Sequence, residues 1–555
     1  FHKKLSSLKF LDPACGCGNF LIITYRELRI LELEVLKILY GSQQTIGIDQ
    51  IMLVDVDQFY GIEIDEFPAR IAEVAMWLID HQMNLKVGHL FGKHYLKLPL
   101  KKSAFIKLGN ALKIEWEEIV PKNELNYIIG NPPFLGSRTM NKEQKAELKK
   151  IFNNQKGWGN LDYVTGWYKK SLNFIDNSEI SCSFVSTNSI TQGLQVAILW
   201  QSLISEGLII NFAHNTFKWS NQAKGKAAVN CVIIGFSKFH FEKKYLFQYN
   251  DPNKDPSIHN VKTINPYLTQ GNFEFIFSKT NPICVVPPMI FGNMPADNGK
   301  FLFTDEEKIQ FINKDPLSRK FFKPLISARE FLHNKKRWCL WLNNASPNEI
   351  AQCKSVVSLI KDVRLIRENS SRPHLAETPS LFAQITQPEN VDFLLIPRHT
   401  SENRNYIPIG FFNKKNIAHD SCLIIPNAEI YHFGVITSLM HMTWVKYTCG
   451  RLESRLRYSK DIVYNNYPWP QKVSKKNKNT VEQKAQNILD LRAEFFDTSL
   501  AILYDEDTMP PKMVKAHQEL DKAVDKCYRS QPFNNDSKRI EFLFNLHIEY
   551  IRKLK

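Results

Sequence analysis

Apolar and polar positions alternate in two different rhythms over the first 240 residues of the chain. "LKFLDPA" has the continuous apolar run of a buried strand, and "NFLIITYRELRILELEVLKIL" has the three-to-four spacing of a helix. The same pair recurs as "FYGIEID" followed by "EFPARIAEVAMWLIDHQMN". "FIKLGNAL" and "LNYIIGNPP" predict two more strands; "LDYVTGWYKKSLNFI" predicts a helix, "ISCSFVSTNSI" a strand and "GLQVAILWQSLISEG" a helix. "GLIINFAH" and "VNCVIIGFSK" predict a closing pair of strands. Strand and helix in turn, with buried strands, imply a doubly wound α/β sheet over residues 1–245.

The alternation then stops. Residues 246–280 are polar, with "NDPNKDPS", and read as a linker. Residues 281–472 are rich in proline, aromatic residues and short β-like runs. Residues 473–555 return to helical spacing in "TVEQKAQNILDLRAEFFDTSLAILY", "PPKMVKAHQELDKAVDKCYR" and "DSKRIEFLFNLHIEYIRKLK". The charged run "KVSKKNKNT" before them reads as a solvated connector. A chain of 555 residues agrees with several domains rather than one core.

Composition changes this picture little. Apolar residues make up 43% and charged residues 23%, as in ordinary globular proteins, and no apolar run is long enough to span a bilayer. The net charge of +16 suits a polyanionic partner such as DNA or RNA, although proteins without such a partner also carry this surplus. The ten cysteines are scattered, with neither CxxC pairs nor histidine clusters, so reduced thiols in a cytoplasmic protein are expected and a zinc site is not. The chain starts at Phe1 with a strand within ten residues, which is the appearance of a piece of a longer polypeptide.

The candidate chemistry lies at the turns after the strands. In "DPACGCG", Gly16 and Gly18 allow a tight turn and let a ligand approach backbone N–H groups at the next helix. A GxG alone is weak; Asp12 leading the turn adds a carboxylate able to hold a cationic amino group. Glu63 in "GIEID" stands where such folds place an acid for ribose hydroxyls, or else is a surface acid at a strand end. Its gap from Gly18 exceeds the usual spacing, and "GSQQTIGIDQIMLVDVDQ" reads as an insertion. Asn110 in "GNAL" reaches toward the same cleft. In "NPPF", Pro132 and Pro133 rigidify the backbone, Asn131 offers a side-chain oxygen and Phe134 a flat ring. Acceptors on the N–H bonds of a planar amine localise its lone pair. Otherwise the motif is an ordinary Pro-Pro loop. Taken together, the turns suit methyl transfer from S-adenosylmethionine to a planar amine by positioning and aligned dipoles, without a metal.

"DPACGCGNF", "GIEID", "GNAL" and "NPPF", in that order, resemble the amino-methyltransferases that modify adenine N6 in DNA. Longer stretches narrow the resemblance: "NPPFLGSRTMNKEQKAELKKIF", "GWGNLDYVTGWYKKSL", "STNSITQGLQVAILW", "SRPHLAETPSLFAQITQP", "ENRNYIPIGFF", "YNNYPWP" and "MPPKMVKAHQELDKAVDKCY" are similar to the MmeI-type Type IIG restriction-modification enzymes. The resemblance covers essentially the whole chain. It implies a Rossmann-like seven-stranded methyltransferase domain at 1–245, a mixed α/β target-recognition domain at 281–472 and a helical domain at 473–555. It implies donor contacts from Asp12, Ala14, Gly16, Gly18, Asn19, Phe20, Glu63, Ile64 and Asn110. The target adenine would leave the stack to meet Asn131, Pro132, Pro133 and Phe134, with Trp219, or secondarily Phe217, as a second aromatic wall.

The resemblance further implies that double-stranded DNA is the partner, that the helical tail packs on the recognition domain or clamps the duplex, and that an endonuclease and helical connector precede Phe1 in the parent polypeptide. No PD…(D/E)xK arrangement stands in this chain, so cleavage is not expected of it. Cys17 replaces a usual serine, and Asn110 replaces an aspartate found in many relatives. Glu402 and Arg404 are two apart on an expected strand, where they read cytosine and guanine edges or else form a surface ion pair or phosphate contact. Arg451, Arg455 and Arg457 read as phosphate contacts, and Arg372 with His374 as further candidates. Other planar-amine substrates also use Asn-Pro-Pro sites: guanine N2 in RNA, glutamine in proteins and, less well matched because serine is commoner at position 131, cytosine N4. The long basic second half counts against a protein substrate. A non-catalytic DNA-binding remnant is the alternative outside the enzymes.

Overall fold

The computed structural model describes residues 1–40, 51–91, 103–219, 229–249, 254–452 and 454–554. The chain forms two compact units, Phe1–Phe275 and Ile276–Lys555.

The first unit is built on one sheet with the strands β1 (Phe10–Asp12), β2 (Phe59–Glu63), β3 (Phe105–Leu108), β4 (Tyr127–Gly130), β5 (Ser181–Thr187), β6 (Ile209–Trp219), β7 (Val229–Ser237), β8 (Lys244–Gln248) and β9 (Ser257–Val261). Their order is β3-β2-β1-β4-β5-β7-β6-β8-β9. β1 to β5 run parallel, and β7 enters antiparallel between β5 and β6. The sequence therefore anticipates seven strands correctly, and two more extend the sheet. β9 falls within the stretch read as a linker. Four of its five residues are exposed, so this edge strand lacks the apolar alternation that would have marked it.

Strand order reverses between β1 and β4, opening a crevice beyond their C-terminal ends. The helices Asn19–Tyr40 and Glu66–Phe91 cover this half of the sheet. Leu21, Tyr25, Leu33 and Leu36 bury one stripe of the first helix, together with two charged side chains, Arg29 and Glu32. Arg29 donates to Tyr25 Oη at 2.6 Å on its own helix and to Asn84 Oδ1 at 2.9 Å and Asp80 Oδ1 at 3.2 Å on the facing helix, while its Nε lies 3.6 Å from Glu32 Oε2 without a hydrogen bond, so the buried charge is paired. Gly18, at φ +85°, sits where a Cβ would lie 3.1 Å from Ala72 Cβ; its absence lets the two helices approach at the turn.

The second unit holds two four-stranded sheets and one three-stranded sheet, interleaved with helices such as Lys354–Glu368 and Leu439–Thr448. Helices Lys475–Glu494, Pro511–Tyr528 and Asp536–Leu554 close the chain. They pack on the preceding elements: Tyr406 Oη donates to Asp521 Oδ2 at 2.7 Å, and Asp521 Oδ1 accepts from Leu439 N at 2.7 Å. The run "KVSKKNKNT" is largely helix rather than connector. Ser474 caps it by accepting from Asn477 N, and Val481, Ala485 and Ile488 carry its buried face.

Candidate active site

Four parallel strands deliver the site. The C-terminal ends of β1, β2, β3 and β4 and the helical segments after β4 enclose a cavity of about 390 Å³. Ala14, Glu63, Ile64, Asn110, Asn131 and Pro133 line it, joined by Pro13, Ile62, Gly109, Ala111, Gln144, Tyr163 and Trp167. Six residues picked from four separated motifs thus line one cavity.

Glu63 organises the crevice. Its Oε2 accepts from Gly16 N at 2.8 Å and its Oε1 from Asp65 N at 3.0 Å. Its backbone oxygen accepts from Gly109 N at 2.7 Å. The acid therefore ties the glycine turn to the ends of β2 and β3. Gly16 reaches this bond at φ +54°, where L side chains are strained.

Asp12 ends β1. Its carboxylate is 1% exposed and lies beneath the turn, accepting from Ala14 N at 3.0 Å, rather than lining the cavity. The reason is Gly130 on β4: a Cβ there would lie 2.5 Å from Asp12 Oδ1, so the missing side chain admits the carboxylate into the sheet. Burial pushes the Asp12 carboxyl up to about 7, against the pull of the Ala14 N–H and with the Glu63 charge adding to the rise.

Asn110 lines the cavity with its amide committed on both sides: Oδ1 accepts from Leu112 N at 2.9 Å, and Nδ2 donates to Glu147 Oε1 at 2.9 Å. The other Glu147 oxygen accepts from Tyr163 Oη. In the Asn-Pro-Pro-Phe turn, Pro132 is buried, Asn131 and Pro133 are exposed and Phe134 is half-buried. Gly16, Gly18, Asn19, Phe20, Pro132 and Phe134 surround the cavity's turns without lining it. Trp219 ends β6 with its ring 6.1 Å from that of Phe217, which also meets Tyr249 at 5.4 Å, and neither Trp219 nor Phe217 lines the cavity. Residues 220–228, which follow Trp219, and 41–50 of the segment read as an insertion lie outside the described residues.

The sequence missed Tyr163, Trp167 and Gln144. Tyr163 and Trp167 meet edge-to-face at 5.2 Å, and Trp167 Nε1 donates to Pro13 O at 3.0 Å. The only signal was aromatic residues four apart in "LDYVTGWYKK", which is also what a core helix shows.

In the second unit, Glu402 and Arg404 occupy a turn rather than a strand. Asn403 N donates to Ser401 Oγ at 3.3 Å, and this local bond competes with extended pairing. Arg404 is half-buried, donating to Ala501 O and Thr400 Oγ1. Arg451, Arg455 and Arg457 do lie in strands, but not together. Register pairs Arg451 with Leu456, whereas Arg455 and Arg457 alternate onto the opposite face beside His399. Arg451 also donates to the backbone oxygens of Ser454 and Lys446. Burial holds the His399 imidazole below its usual range, helped by Arg398, Arg457 and Arg455. Arg372 and His374 are exposed.

A doubly wound α/β sheet with its crevice at the strand-order reversal, followed by mixed α/β and helical parts, defines a methyltransferase-like domain carrying appended domains. Family models agree along the chain: the MmeI DNA-methyltransferase domain at residues 1–248, the MmeI target recognition domain at 270–471 and the MmeI C-terminal domain at 473–555. The solved structure of the Type IIL restriction-modification enzyme MmeI in complex with DNA is 47% identical, with a TM-score of 0.89 over 99% of this chain and 74% of that one. "DNA methyltransferase A" of Bacillus subtilis (strain 168) is 40% identical over 554 residues, 98% of this chain. The chain spans 62% of that relative's length. The chain belongs to the MmeI family of restriction-modification DNA methyltransferases. Among the described residues no helix is long and apolar enough to cross a membrane.

Proposed function

We propose that this chain transfers a methyl group from S-adenosylmethionine to adenine N6 at a specific DNA sequence, as part of a restriction-modification or phage-defence system. The observation that carries the reading is the single cavity lined by both the donor-side residues Ala14, Glu63, Ile64 and Asn110 and the acceptor-side residues Asn131 and Pro133. MmeI, the relative solved with DNA, supports DNA as the partner.

The residues fit the donor. Glu63 offers carboxylate oxygens for ribose hydroxyls, Ile62, Ile64 and Ala111 offer apolar surface for a flat ring, and buried Asp12 supplies negative charge beneath the turn. S-adenosylmethionine supplies the methyl: the amine lone pair forms the N–C bond as the S–CH3 bond breaks, S-adenosylhomocysteine leaves, and the surplus amine proton passes to water. Asn131 and the rigid Pro132 carbonyl accept the amine hydrogens and aim its lone pair, and Phe134 stacks on the flipped ring. Trp219 is the proposed second wall. Arg455 and Arg457 are proposed to contact phosphates, and Arg372, Glu402, Arg404 and Arg451 remain candidates for DNA contact.

The test is transfer from labelled S-adenosylmethionine to mixed genomic DNA, with total RNA in parallel and nucleosides identified by mass spectrometry. N6-methyladenine in DNA is expected. Label only in RNA overturns the substrate, and no label with DNA still bound makes the chain a specificity module.

Asp12 gives this reading a pH signature. With its carboxyl at about 7, the group is partly protonated at neutral pH. A cationic ligand nearby favours the ionised form, so binding releases a proton. Calorimetric affinity for S-adenosylmethionine is therefore expected to rise with pH through about 7 and level off above it, by up to about tenfold per unit below. In Asp12→Asn the profile over this range is flat. A wild-type profile equally flat removes Asp12 from donor binding.

A further inference from the structure

The two reactive turns are both tied to the short stretch 161–167, which the proposed reaction does not use chemically. Pro132 and Pro133 have no N–H, so the turn that starts at Asn131 has few backbone donors with which to anchor itself. Leu135, directly after Phe134, is gripped at both its polar backbone atoms. Its N–H donates to Asp162 Oδ1 at 3.1 Å, and its oxygen accepts from Tyr163 N at 2.9 Å. Asp162 is itself held. It is 4% exposed, its N–H donates to Gln195 Oε1 at 2.9 Å, and the same Oδ1 accepts from Val164 N at 3.2 Å. At the far end of the stretch, Trp167 Nε1 donates to Pro13 O in the turn after β1.

We infer that Asp162 is a positioning residue for methyl transfer. It fixes Leu135, and through it the Asn131–Phe134 turn, relative to the glycine turn that Trp167 holds from the same stretch. The inference rests on the reaction proposed for this cavity. The N–H groups of Leu135 and Val164 both go to Oδ1, so acceptor capacity at that oxygen is what the positioning needs. Asparagine can supply that oxygen, and alanine cannot.

Single-turnover methyl transfer at saturating donor and DNA tests this. Asp162→Ala is expected to slow it about 100-fold, the cost of a misplacement near 1 Å. Affinity for S-adenosylhomocysteine by calorimetry, affinity for genomic DNA fragments and the donor KM should all hold, and Asp162→Asn should restore the rate. A rate in Asp162→Ala equal to wild type overturns the inference, as does Asp162→Asn being as slow as alanine, or loss of S-adenosylhomocysteine binding in the alanine variant. Where thermal unfolding shows that Asp162→Ala does not fold, Gln195→Ala serves instead. It releases the Asp162 N–H alone and should slow the same step with donor affinity kept; an unchanged rate there overturns the inference. A wild-type chain that neither binds S-adenosylhomocysteine nor transfers methyl overturns the proposed function itself.

Discussion

Replacing Asn131 with alanine is expected to lower methyl transfer to DNA by about 10²- to 10³-fold, the range seen when one aligned polar group is removed from a reacting centre. The side chain stands exposed at the end of β4, where it lines the cavity beside Pro133. Buried Pro132 between them pins the backbone, so the carboxamide is lost without moving the turn. A planar amine keeps its lone pair in the ring until acceptors on its hydrogens pull the nitrogen toward tetrahedral geometry. That demand grows on the way to the transition state, so the loss belongs in the rate constant rather than in binding. Single-turnover rates, with S-adenosylhomocysteine and DNA affinities measured alongside, separate the two. A rate within threefold of wild type would mean that the amine is not activated at this turn.

Much of the first unit was legible because its central strands are apolar and largely buried: β1 is buried at every position and β5 at four of seven. Short apolar runs such as "FL" in β1 and "YII" in β4 point to strands, and the helices between them keep a clear period. Legibility fails where burial and apolarity part company. Arg29 and Glu32 are fully buried yet charged: Asp80 and Asn84 meet Arg29, and the backbone N–H groups of Leu53 and Val54 donate to Glu32. β9 is in the sheet yet almost wholly exposed. Neither can be read from a hydrophobic pattern, since in each case the decisive partner is distant in sequence.

The same distinction divides the site. Turns at the ends of strands carry rare residue combinations, Asp-Pro-Ala-Cys-Gly and Asn-Pro-Pro-Phe, and the structure does bring their neighbours into one cavity. Asp12 stands out in the sequence, but its burial beneath the turn was not legible, because the space it enters is made by Gly130, 118 residues away. Asp162 and Trp167 bind backbone atoms, and backbone atoms leave no mark in a sequence. In the second unit the Glu402–Arg404 spacing suggested a strand, but a serine two residues before Asn403 holds a local turn instead.

Glu63 orders the glycine turn and is the proposed ribose ligand, and Glu63→Ala is expected to weaken S-adenosylmethionine binding about 100-fold, as the loss of one to two charge-assisted hydrogen bonds implies. The carboxylate already accepts from Gly16 N at 2.8 Å and Asp65 N at 3.0 Å, one on each oxygen. Each oxygen keeps a second lone pair, which is the capacity offered to two ribose hydroxyls. Alanine removes both acceptors and leaves the backbone N–H groups of Gly16 and Asp65 without this partner. Glutamine has a single acceptor oxygen, so its amide NH2 must face one of the two N–H donors; Glu63→Gln should fall between wild type and alanine. Calorimetry with S-adenosylmethionine and S-adenosylhomocysteine gives the order. Equal losses for the two ligands are expected, because the ribose is common to both, whereas loss confined to S-adenosylmethionine would assign Glu63 to the sulfonium charge instead. Unchanged affinity in alanine would take the ribose away from β2 altogether. The junction with β3 is not at stake, because Gly109 N donates to the Glu63 backbone oxygen, which every substitution retains.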